Sequence, residues 1–378
     1  MKFTLDWLKQ HLDTDASIDV IAEKLTDVGL EIEAVTDRGA ALKDIRVAHI
    51  IEAGQHPDAD RLKLCKVDTG DKVIQVVCGA PNARTGIKVA LAQPGAIIPI
   101  DGSKLKPGKI RGVESQGMMC STRELCLGED HDGIIELPED AEIGAQVASV
   151  LGADDPILEI GLTPNRPDCT GVRGVARDLA AAGLGTLKAD PRQEAVVGAF
   201  DSPIGVTIST DITQNAAAPV FYGRYIRGVK NGESPDWLKA RLESIGLRPI
   251  SALVDITNLV THDLGRPLHV FDADKLAGDI NVRYATNGEK IAALDNKEYA
   301  LSDTMVVIAD QAKALGIGGI IGGEETGCLA ETTNVFVECA LFDTISVAKT
   351  GRKLQINSDA RYRFERGVDP QSVIWGME

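Results

Sequence analysis

The stretch from residue 40 to residue 151 constrains the fold of this chain more than any other. It consists of short runs of alternating apolar and polar residues, including IRVAHIIEA, KVIQVVCGA and IKVALAQPG, separated by clusters of Gly, Pro, Asn and Asp. Runs of this length between turn-forming residues are typical of short β-strands. Short strands with such punctuation predict a small closed barrel, and an OB-fold is the obvious candidate.

Helical patterns flank this stretch on both sides. Before it, apolar residues recur at helical spacing between the N-cap candidate Ser17 and Gly29. After it, a second apolar stripe runs through TPNRPDCTGVRGVARDLAAAG. One short stripe cannot form a stable unit alone. We therefore predict that residues 1–39 and 152–195 build one discontinuous helical domain, with the barrel of residues 40–151 inserted in it.

Residues 200–378 mix helices and strands. The segment SPDWLKARLESIG predicts a helix with Ser234 as N-cap, Pro235 in the first turn and Gly246 after the end. Strand-like runs such as INVRYA, TMVVIA and NVFVECALF follow without regular alternation of strand and helix. This pattern favours an α+β domain over a doubly wound sheet. The chain is therefore predicted to be a multidomain α+β protein.

Charge is unevenly distributed along the chain. The net charge of −16 argues against wholesale wrapping of a nucleic acid. Between residues 40 and 125, however, thirteen Lys and Arg residues stand against nine Asp and Glu residues, a local balance of +4. A basic barrel on an acidic chain is compatible with a local, moderate grip on a polyanion.

Sequence signals for export, membrane insertion and metal binding are weak. No apolar run reaches the roughly 20 residues of a membrane span, and the start, MKFTLDWLKQHL, does not read as a secretory signal. The seven cysteines form no CxxC pair. We therefore expect a cytoplasmic protein with reduced thiols and no zinc site.

Three features of the last block could carry chemistry. His269 lies in RPLHVFD, where a packed ring and a ligand contact both stay open, and no triad or zinc spacing surrounds it. Glu338 interrupts the apolar run VFVECALF; it either faces solvent or accepts a hydrogen bond from a ligand in a pocket. The glycine run GIGGIIGG matches no phosphate-loop motif, which leaves a tight turn or a close backbone approach to a ligand.

Two basic segments are candidates for RNA contact. HPDADRLKLCKVDTG brings His56, Arg61, Lys63 and Lys66 to an early strand of the barrel, and OB barrels bind nucleotides on such a face. Residues 40–151 contain no Phe, Trp or Tyr, so binding would be electrostatic, and a solvated charged loop is the alternative. SDARYRFERGVDP suits either RNA stacking or a salt-bridged helix.

Several of these stretches together resemble one family, the beta subunit of bacterial phenylalanyl-tRNA synthetase, in the same order along the chain. HPDADRLKLCKVDTG, VVCGAPNAR and IRGVESQGMMCS resemble its OB-type tRNA-binding insert, and LTPNRPDC resembles the return to its first domain. DITNLVTHDLGRPLHVFDADKL, GIGGIIGG, NVFVECALF and SDARYRFERGVDP resemble its editing module. The resemblance implies a winged-helix-like N-terminal domain and a three-layer α+β editing domain over residues 200–378.

The resemblance also implies a function. The complete enzyme, with two alpha and two beta subunits, uses ATP and Mg²⁺ to join phenylalanine to tRNA(Phe), and the aminoacylation site lies on the alpha subunit. The beta subunit binds tRNA and hydrolyses mischarged tyrosyl-tRNA(Phe), because a pocket for an aromatic ring rejects an added hydroxyl poorly. This portion is expected to bind no cofactor itself. A non-catalytic RNA-binding protein that reuses the fold is the alternative.

The resemblance also assigns roles to individual residues. The expected catalytic set is His269, Glu338, Thr257, Asn258 and Ser358, and the expected substrate-binding set is Pro267, Gly318, Gly319 and Ala360. Glu338 would accept a hydrogen bond from the tyrosine phenol, and His269 would position the ester or the attacking water, with general-base action left open. The expected tRNA contacts are His56, Arg61, Lys63, Lys66 and Arg111.

Two departures from the family pattern stand out. Position 358 is Ser where Thr is expected, so the hydroxyl is kept and a methyl contact is lost. The sequence stops at Glu378, whereas the family's beta subunit continues with magnesium-binding and alpha-pairing regions. We therefore expect this sequence to be a fragment.

Overall fold

The computed structural model of the protein describes residues 1–189 and 196–378. It shows a mixed protein of helices and strands with two compact units, Met1–Ala34 together with Leu158–Glu378, and Val35–Ile157. The division into three domains stays a prediction, and residues 190–195 of its first domain lie outside the described residues. Within the described part of the chain, no helix is long and apolar enough to cross a membrane.

The chain starts with five small elements: β1 (Lys2–Thr4), α1 (Leu5–His11), β2 (Leu12–Asp13), α2 (Ile18–Asp27) and β3 (Glu31–Thr36). The Ser17 side chain caps α2 by accepting a hydrogen bond from Val20 N. Gly29 follows the helix with a φ of +82°, which glycine adopts without strain. The predicted helix is therefore confirmed at both ends.

The second unit is rich in short strands, as predicted. Its elements are α3 (Arg38–Ala41), β4 (Ile45–His56), β5 (Ala59–Asp68), β6 (Val73–Cys78), β7 (Lys88–Ala92), β8 (Gly108–Ile110), β9 (Val113–Ser115), β10 (Met118–Met119), β11 (Glu136–Leu137) and α4 (Val147–Val150). The main sheet has the order β10-β7-β4-β5-β6, with β11 also on β7, and β8 and β9 form a separate hairpin. All these pairings are antiparallel.

A closed barrel is not seen in this sheet. Among the described residues, β6 and β10 are the two edge strands of the sheet, and they do not pair with each other as strands. Gln116 N, just before β10, donates a hydrogen bond to Gln75 O of β6 at 2.8 Å. On β7, Val89 and Leu91 join one apolar cluster, and Ala90 and Ala92 join another. The sheet therefore curls enough to bury both faces of a central strand.

The chain then forms β12 (Ile157–Gly161), a 3-10 turn (Pro167–Cys169), α5 (Val172–Ala181) and β13 (Thr186–Leu187). β12 lies between β1 and β3 in a three-stranded sheet, and β13 pairs with β2. α1, α2 and α5 share an apolar core that includes Trp7, Leu25 and Leu179. The helical segments on the two sides of residues 35–157 therefore fold together.

The remaining strands are β14 (Val206–Ile208), β15 (Val220–Arg227), β16 (His269–Asp272), β17 (Ile280–Tyr284), β18 (Lys290–Ala292), β19 (Glu298–Ala300), β20 (Val306–Ala309), β21 (Ala314–Ile317), β22 (Ile321–Gly322) and β23 (Asn334–Leu341). The remaining helices are α6 (Thr210–Gln214), α7 (Asp236–Ser244), α8 (Ala252–Leu264), α9 (Thr344–Leu354), α10 (Asp359–Phe364) and α11 (Ser372–Met377), with a 3-10 turn at Ala273–Lys275. The predicted cap of α7 is wrong by one residue. Pro235 is the N-cap, and Ser234 Oγ donates instead to Asp255 Oδ2 at 2.5 Å.

Two sheets position the candidate site. The first has the order β14-β17-β20-β21-β22, and the second has the order β15-β23-β16. Phe271 and Phe336 of the second sheet, Ile317 of the first and Phe364 of α10 belong to one buried apolar cluster. Because β16 pairs antiparallel with β23, the register sets His269 directly opposite Glu338.

Candidate functional site

A small cavity lies among β16, β21, β22, β23 and α10. Its volume is about 70 Å³, and most of its lining is apolar side chains and glycines. Five predicted site residues line it: Pro267, His269, Gly319, Glu338 and Ala360. The fold thus brings together residues that are far apart in sequence, including residues of β16, β23 and α10.

Glu338 places a carboxyl group in this apolar lining. The residue is only 6% exposed, and its Oε2 has no hydrogen-bond partner among the described residues. Burial raises the pKa of the Glu338 carboxyl to about 8, and the positive charge of Arg266 opposes that rise. A buried carboxyl oxygen with no partner is costly, so a ligand that supplies a hydrogen bond would be favoured here.

His269 is the second polar group of the cavity. Its ring packs edge-on against Phe271 with centroids 4.4 Å apart, and its buried Nε2 has no hydrogen-bond partner in the described residues. Burial lowers the pKa of His269 to about 4. The ring is therefore neutral at neutral pH, and one of its nitrogens can accept a hydrogen bond.

The glycine run forms the opposite wall of the cavity. A Cβ atom on Gly322 would lie 2.2 Å from His269 Cε1, so the bare backbone there lets the ring fit. Gly319 has a φ of +68°, and a Cβ atom there would meet Phe342 Cδ2 at 2.9 Å. Gly318 lies beside Phe342, and its N–H donates to Val306 O at 2.9 Å. Among the predicted glycines, only Gly319 belongs to the cavity lining.

The other predicted site residues lie outside the cavity lining. Thr257 and Asn258 are half-buried on α8, and Thr257 Oγ1 donates to Val254 O at 2.7 Å. Ser358 caps α10, accepts from Arg361 N at 3.0 Å and donates to Ile320 O at 2.6 Å. Ser358 lines a separate cleft of about 400 Å³ on the polar side of α10.

Sequence reasoning missed Arg266. The side chain is fully buried; it donates to Ala340 O and to Ser372 Oγ, the latter at 3.2 Å, and it lies 5.4 Å from the Phe364 ring. An arginine directly before a proline gives no local signal of burial. Gly322 was missed as well, because a run of glycines does not reveal which one meets a side chain.

The three arginines of SDARYRFERGVDP are engaged within the protein. Arg361 Nε pairs with Glu365 at 3.0 Å, and the Arg366 guanidinium stacks on the Tyr362 ring at 3.7 Å. Arg363 is 2% exposed and pairs with Asp359 at 3.0 Å. The structure therefore favours the salt-bridged helix over an RNA-stacking surface for this segment.

The predicted tRNA contacts differ in how accessible they are. The His56 ring is buried, with Nε2 3.2 Å from Ile110 O and Nδ1 accepting from Asp58 N. Lys63 Nζ donates to the carbonyls of Pro81 and Ala83. Lys66 pairs with Glu52 at 2.7 Å. Arg61 and Arg111 are exposed.

A second group of titratable residues lies at the start of α5. Oxygen and sulfur ligand atoms of Asp168, Cys169 and Asp178 come within 4.8 Å of one another. The Arg166 guanidinium bonds to all three, at 3.1 Å from Asp168 and 2.9 Å from Cys169 Sγ. Asp168 also lines a cleft of about 580 Å³, and the predicted site residues do not line that cleft.

Comparison with known protein families adds to this geometry. Residues 45–146 match the family of putative tRNA binding domains, and residues 217–378 match the B3/4 domain family. The first match lies within the strand-rich unit, and the second contains every strand of the two sheets around the cavity except β14. Fold and site thus define a protein that combines a tRNA-binding domain with a B3/4 domain.

Curated relatives match over the whole chain. Phenylalanine–tRNA ligase beta subunits of Rhodospirillum rubrum and Paramagnetospirillum magneticum are 62% and 60% identical to it, across 100% of this chain and 47% of theirs. By sequence the chain belongs to the phenylalanine–tRNA ligase beta subunit family and corresponds to its N-terminal portion. It spans about half the length of these curated relatives.

One solved structure carries a related description. An N-terminal fragment of the phenylalanyl-tRNA synthetase beta subunit from Pyrococcus horikoshii is 18% identical and matches 50% of this chain and 56% of its own. The TM-score is 0.29, which is too low to indicate a shared overall fold.

Proposed function

We propose that this chain is the tRNA-binding and editing portion of a phenylalanine–tRNA ligase beta subunit. In the complete cytoplasmic enzyme, two alpha and two beta subunits would use ATP and Mg²⁺ to charge tRNA(Phe) with phenylalanine. This portion would hold tRNA and hydrolyse tyrosyl-tRNA(Phe). We also propose the finer architecture: an OB-type barrel, a winged-helix-like N-terminal domain and a three-layer editing domain.

One observation carries the editing proposal: Glu338 presents an unpartnered, buried carboxyl oxygen in an apolar cavity. A tyrosine ring in this cavity would donate its phenol O–H to Glu338. Phenylalanine would leave the same oxygen unpaired, which disfavours its binding. This preference is the reverse of that in an aminoacylation site for phenylalanine, because here the tyrosine hydroxyl strengthens binding.

The hydrolysis itself would need a water molecule, which attacks the ester carbonyl carbon. The bond to the terminal ribose oxygen then breaks, tyrosine leaves with the added water oxygen, and the tRNA hydroxyl takes up a proton. Neutral His269, directly opposite Glu338 on the paired strand, is the nearest candidate to orient the ester or that water. Thr257, Asn258 and Ser358 would act from outside the cavity lining.

The cavity must widen to admit a substrate ring. Its volume of about 70 Å³ compares with the roughly 150 Å³ of an engineered protein cavity that holds benzene. We propose that ring entry displaces the His269 side chain, which packs between Phe271 and Gly322.

The direct test compares two esters on the complete enzyme that contains this chain. We expect tyrosyl-tRNA(Phe) to be hydrolysed faster than phenylalanyl-tRNA(Phe) by about 10²-fold or more, because sites built to bond a hydroxyl strongly reject analogues without it. Release of free amino acid from each labelled ester measures the preference. Equal, slow loss of both esters would favour the non-catalytic RNA-binding alternative.

Glu338 should also make the stability of this chain depend on pH. Native Glu338 keeps its proton up to about pH 8, whereas an ordinary glutamate releases it near 4.5. The native state then binds more protons, so raising the pH favours unfolding across this window. His269, whose pKa is lowered from 6.5 to about 4, acts in the opposite direction, but only below pH 6.5.

Between about pH 6.5 and 8 we therefore expect wild type to lose about 2 kcal/mol of unfolding free energy relative to Glu338→Gln, at about 1.4 kcal/mol per pH unit. Urea denaturation of both proteins at several pH values measures this difference. The amino terminus, whose pKa is lowered by burial, contributes equally to both proteins and cancels. Parallel stability curves would show that native Glu338 is already ionised in this range.

A further inference from the structure

A short basic segment stands out on the strand-rich unit. Residues 102–112, GSKLKPGKIRG, contain four cations (Lys104, Lys106, Lys109 and Arg111) and no acidic residue, in a chain with a net charge of −16. All four side chains are exposed. The segment includes β8 and the turn that leads to β9.

These four cations have no ion pair within the described residues. Elsewhere on the surface cations are commonly paired, for example Arg84 with Glu136 at 2.6 Å and Lys290 with Glu298 at 2.6 Å. Glu114 faces Lys109 across the hairpin without forming such a pair. The segment therefore keeps its positive charge available for an external anion.

The protein holds this segment in a defined shape. Arg111 and Gly112 both have positive φ, +49° and +82°, as a tight two-residue hairpin turn requires. The Ile110 carbonyl lies 3.2 Å from the ring nitrogen of buried His56. On the other strand, Gln75 Nε2 donates to Glu114 O at 2.8 Å. Because the backbone is fixed before binding, little ordering is needed when an anion arrives.

We infer that residues 104–112, called here the basic hairpin, grip the phosphate backbone of tRNA. This inference rests on the proposed tRNA binding and locates its main contact. Residues 40–151 contain no Phe, Trp or Tyr, which excludes base stacking on these side chains there and favours phosphate contacts. Lys63 and Lys66 bond to partners within the protein, whereas the cations of the basic hairpin form no ion pair in the described residues.

The test uses two variants of the full chain with the same change of charge. One is Lys106→Ala with Lys109→Ala; the matched control is Arg84→Ala with Lys290→Ala, which removes two cations that are paired on the surface. Binding of unacylated tRNA(Phe) is measured over a series of salt concentrations, and circular dichroism checks that each variant is folded.

We expect the hairpin variant to bind tRNA(Phe) severalfold more weakly. The plot of log affinity against log salt should also become less steep, by about 1.5, since two phosphate contacts are lost and each contributes about 0.7 to 0.9. The control should keep the wild-type slope. Equal weakening of both variants, or full tRNA affinity in the hairpin variant, would overturn the inference. If the wild-type chain itself binds no tRNA, the proposed function fails at that step, which is a different result.

Discussion

We expect Glu338→Ala to lower kcat/KM for hydrolysis of tyrosyl-tRNA(Phe) by the complete enzyme by about 10- to 100-fold. The basis is the loss of the acceptor for the phenol: a buried donor left without a partner costs about 1–3 kcal/mol, and about 1.4 kcal/mol corresponds to tenfold. Single-turnover release of labelled tyrosine by the complete enzyme measures the loss. Charging of tRNA(Phe) with phenylalanine should stay unchanged, because it would occur on the alpha subunit.

Glu338→Gln serves as the matched variant. It keeps an oxygen acceptor and nearly the same volume but cannot ionise, so most of the tyrosine preference should survive. If Glu338→Ala hydrolysed neither tyrosyl-tRNA(Phe) nor phenylalanyl-tRNA(Phe), the substitution would instead have damaged the fold. If Glu338→Ala clears tyrosine as fast as wild type, Glu338 is not the group that reads the hydroxyl.

Gly322→Ala is expected to reduce the same hydrolysis by about 10²-fold, because a displacement of about 1 Å in a reacting geometry can have an effect of that size. The new Cβ would lie 2.2 Å from His269 Cε1, so the ring must move. The φ of Gly322 is not in the left-handed region, so the backbone itself accepts alanine. The strain therefore falls on His269, and kcat/KM for tyrosyl-tRNA(Phe) measures its consequence.

A double-mutant cycle separates this effect from general destabilisation. In a His269→Ala background the ring is gone, so Gly322→Ala should then change activity little. Gly232→Ala is the control substitution, because its Cβ would meet nothing within 4 Å and its φ is also outside the left-handed region. Additive losses from the two substitutions would mean that Gly322 acts independently of His269.

Local patterns predicted the elements of this protein better than its pairings. The Ser17 cap and the Gly29 end of α2 could be predicted because caps depend on a few neighbouring residues. Glu338 could be marked as unusual because it interrupts an apolar run. The position of His269 opposite it could not, since strand register depends on contacts between residues that are far apart in sequence.

The same limit applies to the charged residues. Lys63 and Lys66 look like available cations in sequence, yet one is bonded to backbone carbonyls and the other to Glu52. Arg266 looks like a surface residue and is fully buried. Tertiary packing decides which cations form hydrogen bonds and ion pairs within the protein. The sequence therefore predicts that the unit is basic but not which of its cations are available to a ligand.

The narrow cavity has a consequence for the equilibrium between closed and open forms. If the open form is a minor population, the apparent dissociation constant of every ring ligand rises by the inverse of that population. In the proposed site, phenylalanine and tyrosine would face the same opening equilibrium, so this equilibrium would cancel from the ratio of their affinities and leave the preference to the hydrogen bond with Glu338. Under the proposed editing function, a mostly closed population would weaken the binding of both ring ligands equally and would leave the discrimination in favour of tyrosine unchanged.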